Sequence, residues 1–114
     1  MSIQVKTEER VTVRDVTAEV SETIPEDVVD GVCTVFVPHT TAGVVVNEAE
    51  PRLLEDIDAA LTELVPERTY AHDAIDDNAD AHVRSVLLGP STTIPVRDGS
   101  LALGTWQSVL LVES

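Results

Sequence analysis

Residues 31–47 read GVCTVFVPHTTAGVVVN, and the fold turns on how this stretch is read. Residues 31–37 carry no charge and include Val32, Val35, Phe36 and Val37, a run of strand length and strand composition. They predict a central, buried strand. Pro38 has no N–H to give a ladder and ends it. His39, Thr40 and Thr41 follow, and after Gly43 the chain turns apolar again, predicting a second strand over residues 44–47. An imidazole and two hydroxyls therefore sit at the lip of a buried strand.

Working outward, Ile3 and Val5 alternate with polar residues and predict a strand over 2–7; Val11 and Val13 do the same over 10–14. Thr17 is placed to cap a short helix ending before Pro25. Pro51 suits a first helical turn, and Leu53, Leu54, Ile57, Leu61, Leu64 and Val65 recur at helical spacing up to Pro66. A third helix is capped by Asp77 or Asn78, buries a stripe of Val83, Val86 and Leu87, and closes at Gly89 and Pro90. Three strands complete the chain, over 92–96, 100–103 and 107–112, with Asp98 and Gly99 turning the first hairpin. Strands and helices lack a βαβ rhythm, so the fold class is α+β, with largely antiparallel sheet in one domain over residues 1–114.

The composition narrows the partners. With 43% apolar residues in 114, the chain can bury roughly two thirds of its unfolded surface. Aromatics are three, Phe36, Tyr70 and Trp106, so the core is aliphatic. Twenty-one acidic residues face seven basic ones, of which Lys6 is the sole lysine. A net charge of −14 repels nucleic-acid phosphates and anionic lipid, which argues against both as partners. A surface so acidic is what a protein working in concentrated salt would show, because salt screens self-repulsion. Cys33 stands alone in an apolar run and reads as a small core residue. No apolar run approaches the ~18 residues of a membrane span and no signal-peptide pattern is seen, so a cytoplasmic protein is expected.

Chemistry centres on three histidines. His39 ends a strand, His72 lies in a polar connection after Tyr70, and His82 falls in the first turn or so of the third helix. Their spacing matches no zinc motif. A turn or capping role for His39, a loop position for His72 and a surface helix position for His82 are the plainer readings. The stretch DDNAD (76–80) is equally a solvated helix start, and Asn47 or Glu48 equally a cap for the helix at Pro51.

Three segments, VFVPHTTAGVVVNEAEP (35–51), DDNADAHVRSVLLGPSTTIPV (76–96) and GSLALGTWQSVLLVE (99–113), together resemble the YjbQ-like family, described as secondary thiamine-phosphate synthases. The resemblance runs in register from Gly31 to Glu113; the first 30 residues agree only in pattern. It implies an α+β fold built on a β-sandwich, a homotrimer, and a histidine-lined pocket. Carried over by position, the pocket comprises His39, Thr40, Thr41, Asn47, His72, Asp77, Asn78, His82, Gly104, Thr105, Trp106 and Gln107. The family pattern continues with Glu-His-Arg and one more strand where this sequence reads Glu113 and Ser114, so a pocket with fewer imidazoles and an uncovered sheet edge are expected.

The implied reaction transfers a pyrimidine-methyl group from its diphosphate to a thiazole phosphate, as a secondary activity. Mg²⁺ or another divalent metal held by Asp77, or by His39, His72 and His82, with imidazolium help from His39 or His82, would assist diphosphate departure. The competing expectation is a binding module that holds a phosphorylated metabolite or a metal ion without turnover. His39 and His82 are expected to share one pocket, within a chain or across a subunit interface.

Overall fold

A computed structural model describes residues 2–3 and 12–113. Of the strand expected over 2–7, all but Ser2 and Ile3 lies outside them. In chain order the elements are β1 (Thr12–Asp15), α1 (Thr17–Glu22), β2 (Gly31–Phe36), β3 (Ala42–Asn47), α2 (Pro51–Leu64), a 3₁₀ turn (Ala71–Ala74), α3 (Ala79–Leu88), β4 (Ser91–Arg97), β5 (Ser100–Leu101) and β6 (Ser108–Glu113). The strands form two antiparallel sheets, ordered β1-β6-β3 and β2-β4-β5. The α+β class and antiparallel architecture are as the sequence predicts.

Between the sheets lies an aliphatic core of Val16, Val20, Val37, Val44, Ile94 and Val109, with Cys33 and Val35 packed against it. The centre of the first sheet is β6, where Val109 and Leu110 are 0% exposed. By contrast β2, expected to be central, ends its sheet among the described residues. Its alternate side chains Val32 and Phe36 are exposed, while Cys33 and Val35 turn inward. An uncharged run reveals strand propensity, but its neighbours are chosen by pairing far along the chain.

Two local expectations are also corrected. Thr17 begins α1 instead of capping it; the Asp15 carboxylate accepts from the Thr17 N–H (2.9 Å). The Thr17 hydroxyl is engaged elsewhere, accepting from the Val109 N–H (2.8 Å) and donating to Asp15. On α3 the stripe of Val83, Val86 and Leu87 is exposed, and Ala79, Asp80, Ala81 and Arg84 are buried. The cause is the end of α2, where the C-cap Val65 leaves its carbonyl without a helical partner while Leu61 O accepts from Val65 N–H (3.0 Å). Arg84 donates to Val65 O (2.7 Å) and Leu61 O (3.4 Å), and Asp80 balances its charge at 3.0 Å. The turn at Asp98 (φ 52°) and Gly99 (φ 79°) is of the hairpin kind expected.

Candidate histidine site

The end of β2 and the start of β3 are pinned to the C-terminal end of α3 and the two residues that follow it. Val37 N–H donates to Pro90 O (2.8 Å) and Val44 N–H to Gly89 O (3.1 Å). A Cβ on Gly43 would stand 2.6 Å from Leu88 Cβ, so only glycine permits this approach. Ser85 Oγ donates to Ala42 O (2.6 Å). Moving back along α3 from Leu88 to Ser85 thus moves back along the chain from Gly43 to Ala42. His82 lies three residues before Ser85 on the same helix face, on the side from which His39, Thr40 and Thr41 lead into β3.

His82 has a neighbour. The rings of His72 and His82 meet edge to face at 4.9 Å between centroids. His72 is oriented by Asn78, with Nε2 3.1 Å from Oδ1; donation from Nε2–H leaves Nδ1 as the acceptor of the neutral ring. The 3₁₀ turn that carries His72 is held by Asp73, which accepts from Tyr70 N–H (3.1 Å) and Ala79 N–H (3.4 Å). Asn78 is the residue preceding α3, in the capping position expected of it or of Asp77, but its side chain serves His72 and not the helix.

The remaining predicted residues are placed differently. His39 is exposed and, with Glu113, stands on the wall of a cavity of about 570 Å³ between the sheets, lined chiefly by Val16, Val20, Cys33 and Val35. Among the described residues no hydrogen bond or ring contact joins His39 to the His72–His82 pair. Asp77 lies on a second, acidic cavity of about 280 Å³ with Glu67, Asp73 and Asp80, over which Arg68 stacks on the Tyr70 ring at 4.9 Å. No group of three or more His, Cys, Asp or Glu side chains able to hold a metal ion occurs among the described residues. A three-histidine metal set of His39, His72 and His82 therefore does not fit one chain as it stands.

Asn47, Gly104, Thr105, Trp106 and Gln107 lie elsewhere. Asn47 pairs with Ser108 at the far end of β3, directly after the turn that holds residues 104–107. That turn is closed by Gly104 N–H on Gln107 Oε1 (2.8 Å) and Gln107 N–H on Gly104 O (3.0 Å). Trp106 is 73% exposed on it. Sequence reasoning missed Ser85 and the Asp80–Arg84 pair; the i, i+4 spacing of the latter was the available signal. No helix among the described residues is long and apolar enough to cross a membrane.

Comparison with known proteins fixes the family. The model of the family described as "UPF0047 protein YjbQ-like" matches residues 1–114. A UPF0047 protein of Archaeoglobus fulgidus is 46% identical over 114 residues, covering 99% of this chain and 89% of its own. YugU of Bacillus subtilis, also a UPF0047 protein, is 33% identical over 98% of this chain and 86% of its own. Among solved structures, a hypothetical protein of Aeropyrum pernix superposes with a TM-score of 0.91 at 50% identity, over 96% of this chain and 83% of its own. A YjbQ-like protein of unknown function from Sulfolobus solfataricus gives 0.90 at 40% identity, over 96% and 80%. Matched from end to end and folded as its relatives are, the chain belongs to the UPF0047 (YjbQ-like) family.

Proposed function

We propose that the histidine end of this protein binds the phosphate groups of a small phosphorylated metabolite and acts as a thiamine-phosphate-synthase-like transferase, as a secondary activity. The supporting observation is the His72–His82 edge contact, oriented by Asn78, on the helix whose Ser85 bonds the Ala42 carbonyl directly after Thr40 and Thr41. In a chain of net charge −14, imidazole N–H and hydroxyl donors at one edge suit an anion. In the reaction, the bond from the pyrimidine methylene carbon to the diphosphate oxygen breaks, and a carbon–nitrogen bond forms to the thiazole. Donors at the departing oxygen stabilise the charge that grows there. Asp77, on the acidic cavity, would be the residue to hold a divalent cation such as Mg²⁺ arriving with the diphosphate, where the cation would offset the phosphate charge.

The proposal includes a homotrimer working in the cytoplasm. Val83, Val86, Leu87, Phe36 and Trp106 are apolar and exposed on a single chain, which supports association between copies. The test is product formation from both substrates with Mg²⁺, native against His82→Ala. A loss of about 10²-fold is expected for removal of a charge-stabilising donor. An unchanged rate would overturn the assignment of His82. Pyrophosphate binding without any turnover would leave a binding module.

A further inference from the structure

We infer that Asn78 is a positioning residue: it fixes the tautomer of His72, so that Nδ1 is offered as a hydrogen-bond acceptor to an N–H or O–H of the bound molecule. The inference rests on the reading above and divides the work of the two imidazoles. His82 donates to phosphate, and His72 accepts from a donor carried beside that phosphate.

The observation behind it is a cap that does not cap. Asparagine before a helix ordinarily accepts from N–H groups of the first turn. Asn78 stands directly before α3, yet its side chain makes no bond to the helix. Its Oδ1 lies 3.1 Å from His72 Nε2 instead. An amide oxygen can only accept, so the ring nitrogen facing it carries the hydrogen. The helix start is served by another group, since Asp73 Oδ1 accepts from Ala79 N–H at 3.4 Å. Asp73 Oδ2 accepts from Tyr70 N–H at 3.1 Å, so one carboxylate closes the 3₁₀ turn and ties it to α3. With those backbone groups met by Asp73, the Asn78 amide is left to hold an imidazole.

The ring is held from a second side. His82 meets it edge to face at 4.9 Å and 76°, and this packing restrains rotation of both rings. His72 is exposed, and no hydrogen bond to its Nδ1 is found among the described residues. In the neutral ring fixed by Asn78, that nitrogen has a lone pair directed away from the amide. Histidines that work through one nitrogen are commonly set in this way by a partner on the other. An amide does so without adding a charge. A fully ionised phosphate has only acceptors, so alone it leaves Nδ1 unmatched. A phosphorylated molecule that also carries an amino or hydroxyl hydrogen suits both rings.

The test uses the full chain with nitrogen-labelled histidine, followed by long-range proton–nitrogen correlation at alkaline pH and assigned by the signal lost in His72→Gln. Native His72 should show a single Nε2–H tautomer, and Asn78→Ala a mixture of the two. Helix content and thermal midpoint should not change in Asn78→Ala, because no cap bond is lost. A native ring protonated on Nδ1, or the same mixture in both proteins, overturns the inference. Binding supplies a second readout with two probes of like phosphate chemistry, phosphoethanolamine, which carries N–H groups, and phosphocholine, which carries none. The native chain should favour phosphoethanolamine by roughly fivefold, the worth of about one hydrogen bond. His72→Phe should abolish that preference and Asn78→Ala lessen it. Equal affinities in the native chain overturn the acceptor role. If neither probe binds, the phosphate reading fails, while a tautomer that relaxes in Asn78→Ala still upholds Asn78 as the residue that positions His72.

Discussion

The strand β6 and the helix α3 are both short and mostly apolar, and they dispose of their apolar side chains in opposite ways. In β6, Val109, Leu110 and Val112 are at most 1% exposed. In α3, Val86 is 83% and Leu87 57% exposed, while Arg84 is 1% and Asp80 6%. The strand is enclosed because β1 and β3 flank it and the other sheet faces it. The helix packs against a surface that is not apolar, the Leu61 and Val65 carbonyls at the end of α2, and a guanidinium meets that need better than a methyl group. Hydrophobic periodicity finds an apolar face; it does not say which neighbour will cover it.

The largest effect should come from breaking the inner face of α3. Asp80→Ala leaves the Arg84 guanidinium buried without its counter-charge, and Arg84 Nη1 already has no partner among the described residues. Loss of about 3–5 kcal/mol is expected, read from urea midpoints. Leu110→Ala should follow at about 2–5 kcal/mol, since a buried leucine in a sheet centre leaves a cavity. If Asp80→Ala costs less than the typical ~1 kcal/mol of a point mutant, the buried pair is not what orients α3. On the outer face, if the proposed trimer forms, Val86→Ser with Leu87→Ser should change assembly instead, moving the light-scattering mass from three chains toward one. An unaltered mass would mean that these side chains face solvent in the assembly as well.

This contrast marks what was legible in the sequence. Strand and helix positions were, because Pro38, Pro51, Gly89 and the Asp98–Gly99 turn act on the backbone beside them. The position of His39 just past a strand and of His82 one turn into a helix followed from the same local signals. What sheet pairing decides was not. Nothing between Gly31 and Phe36 announces that β2 pairs with β4 alone among the described strands. Nor does the spacing of Asn47 from Thr41 show that a strand's length will separate them, although both lie within one short motif. The meeting of His72 with His82 likewise depends on Asp73 tying the 3₁₀ turn to Ala79.

A smaller effect separates surface from interior electrostatics. The Debye length falls from ~10 Å at 0.1 M salt to ~3 Å at 1 M. With 21 acidic residues against seven basic, the thermal midpoint should rise over that range as surface repulsion is screened. The buried Asp80–Arg84 pair is shielded from salt, so the cost of Asp80→Ala should stay nearly constant. A midpoint that is flat or falling would count against adaptation to salt.

The smallest expected effect lies at the other end of α2, where the helix starts in solvent instead of ending in the core. Glu50 caps it, accepting from Leu53 N–H at 2.7 Å, and Arg52 Nε donates to the same carboxylate at 2.5 Å. The Arg52 guanidinium first, and the Leu53 N–H after it, hold the Glu50 carboxyl below its ordinary range, with desolvation opposing weakly. Because the folded value lies below the unfolded one, the ionised form is favoured by folding. Its contribution is complete above the unfolded glutamate value of about 4.3 and is lost as pH falls through the lower, folded value. Glu50→Gln should therefore cost stability at neutral pH and make the acid limb of the stability curve shallower. Arg52→Ala should raise the Glu50 titration midpoint seen by carboxyl NMR while α2 stays capped by the Leu53 bond. Should that midpoint stay put, the cap alone holds the carboxyl ionised and the exposed ion pair contributes nothing, as exposed pairs often do. The two ends of α2 would then differ more sharply still, with a charge pair that matters only where it is buried.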